Sequence, residues 1–379
     1  MELILSTYGL KGFGGSETYL LTTAEHLERL GHRVTLTAVE LGPMADKARA
    51  RGVRVAEDPE ALPDGPDAVL VQDGVTSLEL ANRFPDTPQL FISHADAIDF
   101  QAPPQLAGAV SGVVVFNDRV AERVRGSALD VDVWRLRQPI DVDWFSPDGV
   151  ARSRPQRLLA FSNYLRGPRR AFLHAACADL DIELVQVGCP AGVHHDPRRA
   201  ILEADIVVGY GRSILEAMAC GRAAYVFDHK GGDGWVTPAA YPALEADGFG
   251  GRATSTTVTS GRLRDDLGCY DVAMGVSNRD LAVGRHAAHQ HAAELVQVIE
   301  RLASRPRVAD DLLPELARVV RVQSQFEQRA IALAQENQTL REELDALRWV
   351  TNTRRHRFGI AVGNFLDGAR RLKRRAGGR

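Results

Sequence analysis

The sequence predicts an α/β protein: two successive parallel-sheet units, then a coiled-coil helix and a basic tail. Three observations carry this. A strand, a glycine loop, a helix and a second strand follow one another within the first 40 residues. A second alternation of strands and helices starts after a Pro/Asp-rich passage at 138–147. Beyond residue 308 the apolar residues recur at spacings of three and four.

The first strand is expected at 3–7. It runs into Gly9-Leu10-Lys11-Gly12-Phe13-Gly14-Gly15, and a helix begins near Ser16 with Leu20, Leu21, Ala24, Leu27 and Leu30 on one face. Gly31 ends that helix as a left-handed glycine would. The next strand is 34–39, so a βαβ unit and a parallel sheet follow. Short apolar strands continue at 68–72, 89–93 and 112–116. The polar stretch 148–156 marks a domain boundary. Strands at 157–161, 182–187, 206–209 and 223–228 alternate with helices at 168–180, 197–203 and 214–220, and a helix over 281–304 closes the body.

From 312 to 347, Leu312, Leu316, Val319, Phe326, Ala330, Leu333, Leu340, Leu344 and Leu347 keep a heptad rhythm, with Gln323 and Asn337 in the seam. This predicts a coiled coil over 308–353 and a homodimer, with a long helix lying on the body as the alternative; Asn337 at an a position favours a parallel two-stranded register. The stretch 354–379 carries nine Lys and Arg against Asp367 alone. Phe358, Val362, Phe365, Ala369 and Leu372 recur there at helical spacing, as in a basic amphipathic helix at an anionic membrane surface; Gly359, Gly363 and Gly368 favour the alternative, a disordered basic tail.

Composition sets outer limits. The chain has 379 residues, 45% hydrophobic and 25% charged, too apolar for a disordered chain. A net charge of -3 gives no general nucleic-acid footprint. Cys177, Cys189, Cys220 and Cys269 lack metal-site spacing, so no zinc cage or disulfide framework is expected. His194-His195-Asp196 reads as a solvent-exposed loop, and no metal is expected. The N-terminus lacks a basic leader and no apolar run reaches 18 residues, so a cytoplasmic protein is expected.

Two stretches carry chemistry. In Gly12-Phe13-Gly14-Gly15-Ser16-Glu17, glycines before a helix let a ligand approach the backbone, and the free amides suit a phosphate. The spacing is not the dinucleotide fingerprint, so a nicotinamide cofactor is disfavoured. In Gly209-Tyr210-Gly211-Arg212-Ser213-Ile214-Leu215-Glu216, a helix starts near Ser213, an acceptable N-cap. Arg212 would assist a pyrophosphate there, and Glu216 would accept hydrogen bonds from ribose hydroxyls.

Together these stretches resemble the retaining glycosyltransferases of the GT-B fold, the GT4-like group, known for a Gly-Gly-x-Glu loop and a Glu-x7-Glu motif. The segment Ile140-Asp141…Phe145…Pro147, the Gly-Gly loop His229-Lys230-Gly231-Gly232 and the loop Asp247-Gly248-Phe249-Gly250-Gly251 agree in order and spacing. The resemblance covers about residues 1–305. It implies two Rossmann-like domains facing a cleft, an acceptor-side domain at 1–147 and a nucleotide-sugar domain at 148–305. It implies a nucleoside-diphosphate sugar as donor, a glycan, lipid-linked or small-molecule acceptor, retention of configuration, and no metal or other cofactor. His94 and Glu216 take catalytic positions. Gly14, Gly15, Arg166, Arg169, Gly209, Tyr210, Gly211, Arg212, Ser213, Ile214, Leu215, Gly231 and Gly232 take donor positions. Asp96 and Asp99 are weaker candidates, and Trp235 either borders the sugar or packs. The first glutamate of the Glu-x7-Glu pair falls at Val208, and Asn163 stands near the family's phosphate arginine. With the tail, the reading is an enzyme of cell-envelope or lipid-linked glycan assembly, peripheral at the inner membrane face. A non-catalytic sugar-nucleotide scaffold and a soluble enzyme acting on a small metabolite are the alternatives.

Overall fold

The structure is a computed structural model that describes residues 1–95, 98–188, 196–254, 258–302 and 313–352. The basic tail 354–379, Asp96 and His194-His195 lie outside the described residues. The chain divides into two compact units, Met1–Arg321 and Val322–Arg379.

The first unit holds two sheets. One has seven strands: β1 (Glu2–Leu10), β2 (Arg33–Leu41), β3 (Arg54–Val55), β4 (Ala68–Val71), β5 (Gln89–Ser93), β6 (Gly112–Val115) and β7 (Asp132–Arg135). Their order is β3-β2-β1-β4-β5-β6-β7, every pair parallel. Strands β4, β5 and β6 are buried along their whole length, as a sheet covered on both faces requires. Helices α1 (Gly15–Arg29) and α2 (Pro43–Ala50) cover one face, α3 (Gly74–Arg83) and α4 (Asp118–Arg125) the other. Asp73 caps α3 and Asn117 caps α4, each accepting an amide proton at 2.9 Å.

The second sheet comprises β8 (Arg157–Phe161), β9 (Glu183–Val187), β10 (Ile206–Gly209), β11 (Ala223–Asp228) and β12 (Gly231–Trp235), ordered β12-β11-β10-β8-β9. Helices α5 (Gly167–Asp179) and α9 (Ser260–Gly268) pack on one face. Helices α6 (Arg198–Glu203), α7 (Arg212–Ala219), α8 (Tyr241–Ala246) and α10 (Ala273–His286) pack on the other.

Two sequence expectations are corrected here. The loop expected at 229–232 is the entry to β12, which pairs antiparallel with β11. Gly232 is squeezed between Phe227 and Val258, where a Cβ would lie 2.8 and 2.7 Å from their side chains, so close packing explains that glycine. The single helix expected over 281–304 breaks at Ala287, whose φ of -60° and ψ of 127° are extended. There the interlobe linker forms a parallel bridge: Ile140 N–H donates to His286 O at 2.7 Å, and Ala288 N–H to Ile140 O at 2.9 Å. Helix α11 (Ala288–Glu300) then joins the first lobe, with Ala292, Leu295, Val298 and Ile299 in the apolar cluster of β1 and α1. The boundary at 148–305 therefore gives this helix to the wrong sheet.

The last helix, α12 (Leu313–Asn352), starts in the first unit. Leu316, Ala317 and Val320 pack near Leu78, Leu106 and Ala109. Among the described residues no helix is long and apolar enough to cross a membrane.

Candidate functional site

In each sheet the strand order reverses once, between β1 and β4 and between β8 and β10. A crevice forms beyond the carboxyl ends of the strands at such a point. The loops after β1, β5 and β6 meet those after β8 and β10 around one interlobe cavity of about 360 Å³. The first lobe lines it with Phe13, Gly14, Gly15, Ser16, His94, Phe116, Asn117 and Arg119. The second lobe contributes Ser162, Asn163, Tyr210, Gly211, Arg212, Ser213, Glu216, Lys230, Asp247, Gly248 and Arg252.

Helix α1 starts at Gly15 with Gly14 as N-cap, and α7 starts at Arg212 with Gly211 as N-cap. Neither cap has a side chain, and the first amides of a helix have no partner within it. Gly211 has φ 57° and ψ -127°, a conformation that glycine alone adopts without strain. Its N–H donates to Phe249 O at 2.9 Å. Ser213 is not the cap: its hydroxyl accepts from Tyr210 N–H at 3.1 Å and donates to Tyr210 O at 2.9 Å, closing the turn.

Arg212 is largely occupied by the protein itself. Its Nε donates to Glu216 Oε1 at 3.1 Å, Nη1 to Pro139 O at 3.0 Å, and Nη2 to Thr22 Oγ1 of α1 at 3.4 Å. Both partners of the ion pair are nearly buried. Burial raises the Glu216 carboxyl above its ordinary value, and the adjacent guanidinium opposes that rise. The pair ties the second lobe to the linker and to α1. Arg135 adds a further tie, bidentate to Glu245 at 2.9 Å, and Arg119 pairs with Asp247 across the cavity rim.

His94 stands at the end of β5 in an aromatic nest. Tyr19 lies at 5.0 Å and Phe116 at 5.1 Å between ring centroids, and Tyr19 also hydrogen-bonds His291 Nε2 at 3.0 Å. Burial pushes the His94 pKa down to about 3, and the Arg212 charge acts in the same direction. The imidazole is therefore neutral at pH 7. Its Nε2 is buried without a hydrogen-bond partner among the described residues.

The cavity gathers His94, Gly14, Gly15, Tyr210, Gly211, Arg212, Ser213 and Glu216, but not the remaining expected site residues. Gly209 is a packing glycine, with Phe161 O 2.8 Å from where a Cβ would sit. Ile214 and Leu215 point into the core of the second lobe. Arg169 donates to the carbonyls of Asp228 and His229. Arg166 precedes α5 and reaches Asn163 O at 3.4 Å. Gly231 and Gly232 belong to β12. Trp235 packs edge-on against Tyr225 and donates to Asp266 O at 2.8 Å. Asp99 pairs with Arg123. Val208 is fully buried in β10 among Leu158, Tyr225 and Phe227, so no side chain at that position faces the cavity.

Sequence reasoning missed Asn117, Arg119, Lys230 and Arg252 as site residues. The signal for Asn117 and Arg119 was present: they follow a short apolar strand, as His94 does.

No protein-family model and no curated protein matches this sequence. Solved structures do. A glycosyltransferase from Rickettsia africae aligns with a TM-score of 0.57 at 13% identity, covering 79% of this chain and 98% of that one. Anabaena HepE, solved in complex with UDP and glucose, aligns with a TM-score of 0.56 at 12% identity, covering 79% and 99%. At such identities the likeness is one of fold: two Rossmann-like lobes facing a cleft, the GT-B arrangement.

Proposed function

We propose that the chain is a glycosyltransferase that moves a sugar from a nucleoside diphosphate to an acceptor hydroxyl with retention of configuration. One observation carries the reading: two glycine-capped helix starts, at Gly14–Gly15 and Gly211–Arg212, converge from opposite lobes on a single cavity. Opposed amide dipoles suit a diphosphate, whose negative charge grows as the glycosidic bond breaks. Lys230 and Arg252 on the cavity wall bring positive charge, Arg119 being paired with Asp247, and no cofactor is invoked. The neutral His94 lines the cavity and is placed to hydrogen-bond a sugar or acceptor hydroxyl. In a retaining displacement from the leaving-group face, the departing phosphate takes the acceptor proton. The fold shared with HepE, which holds UDP and glucose, supports a nucleotide-sugar donor.

A second reading, a silent sugar-nucleotide scaffold, draws on the buried Val208 and on the Arg212–Glu216 pair that satisfies itself. A panel of nucleoside diphosphates and their sugars, read by thermal shift and by donor turnover, separates the readings. Binding to the native state raises the melting temperature. One donor is expected to do so and to be consumed, with turnover falling about a hundredfold or more in His94→Ala. A shift without turnover selects the scaffold, and no shift at millimolar ligand ends both readings.

The basic stretch 354–379 supports a peripheral place on an anionic membrane and, with it, a lipid-linked or cell-envelope acceptor. Truncation after residue 352 is expected to abolish sedimentation with anionic vesicles. A full chain that stays in the supernatant, as the truncated one does, would leave a small soluble metabolite as the acceptor.

A further inference from the structure

The second unit contains the helical stretch 322–352. A lone helix leaves its apolar residues in water, and this one does: Phe326 is 70% exposed, Leu333 50%, Leu340 55% and Leu344 46%. Phe326, Leu333 and Leu340 lie seven residues apart and form one row, the d positions. Ala330, Asn337 and Leu344 form the neighbouring a row. The exposed residues therefore make a seam.

The flanking charges say what covers it. With this register, Glu336 and Glu343 occupy g positions, and Arg341 and Arg348 occupy e positions. In a parallel, in-register pair of helices, each g residue faces the e residue of the following heptad on the other strand. Glu336 then meets Arg341 of the second copy, and Glu343 meets Arg348. In an antiparallel pair, g faces g and e faces e, so glutamates would confront glutamates and arginines arginines. Asn337 adds a second selection, because a buried asparagine at an a position favours two strands in fixed register.

We propose that residues 322–352 pair with a second copy of this chain as a parallel, in-register, two-stranded coiled coil, set by the Glu336–Arg341 and Glu343–Arg348 ion pairs and by Asn337. Such pairing brings the two basic stretches that follow residue 352 to the same end of the coil. The inference is independent of the catalytic reading.

The test uses the full chain with Cys189→Ser and Cys269→Ser as background. Light scattering at micromolar concentration is expected to give twice the chain mass. Leu333→Cys and Leu340→Cys, made separately, are each expected to form a covalent dimer on mild oxidation. Only a parallel, in-register pair brings both 333 to 333 and 340 to 340. Glu336→Lys with Glu343→Lys is expected to weaken the dimer about tenfold or more, and adding Arg341→Glu with Arg348→Glu to restore it. A monomer, a trimer, or crosslinking at neither or only one cysteine position would overturn the proposal.

Discussion

The two glycine-led turns that meet at the cavity look alike in sequence and behave differently in the fold. The first, Gly14–Gly15, has an ordinary extended cap with φ -72°, and Glu17 is the side chain that leans over it. The second, Gly211–Arg212, has a left-handed cap, a self-paired arginine and glutamate, and hydrogen bonds to the linker and to the opposite lobe. The first turn is simply a helix start. The second is a helix start and a fastening between lobes. An arginine beside a glycine-capped helix start is thus no guarantee of an anionic ligand, because here the arginine is held by its own helix and by α1.

The largest effect is expected from Glu216→Ala. It leaves Arg212 buried without its carboxylate, and breaking such a pair costs about 3–5 kcal/mol. Urea unfolding is expected to show that loss, and Arg212→Met with Glu216→Leu to recover most of it. Equal stability of Glu216→Ala and wild type would show that the pair fastens nothing.

Acid provides the next test. Burial pushes His94 and His291 down to about 3 and His286 to about 4, so all three stay neutral in the folded chain while the unfolded chain protonates them below about pH 6.5. Stability is then constant with respect to these groups above pH 6.5 and falls as the pH drops, by up to about 1.4 kcal/mol per pH unit for each histidine. Unfolding curves at pH 7.0 and 5.5 check the slope. Replacing Arg212 with Met is expected to raise the His94 pKa, read from its imidazole NMR shifts, because one opposing charge is removed.

The smallest effects separate the two caps. Gly211→Ala forces a side chain into a glycine conformation and is expected to cost about 1–3 kcal/mol. Gly14→Ala keeps a permitted backbone, and its Cβ meets only the movable carboxylate of Glu17, so about 0.5 kcal/mol is expected. Equal costs at the two positions would show that the two caps do not differ in strain.

Legibility followed locality. Strands 89–93, 157–161, 206–209 and 223–228 were readable to the residue, because buried parallel strands are short apolar runs between glycine and polar breaks. Strand β12 was not, because Gly231-Gly232-Asp233-Gly234 has no apolar run; its edge pairing with β11 makes it a strand. Half the expected site was placed at the cavity, since the loops at strand ends carry their own glycine signature. Ile214 and Leu215 went astray because residues on the far side of a helix start face the core.

Local pattern was enough for most strand–turn–helix units of the two sheets and for the heptad repeat, because apolar periodicity and glycine placement act over one or two turns of chain. Folding in three dimensions settles which lobe holds α11, which partners claim Arg212, and that Asn117, Arg119 and Asp247 share one rim. Those depend on pairings between distant parts of the chain, Arg212 with Thr22 and Arg119 with Asp247 among them, whose packing and charge compensation no local pattern encodes.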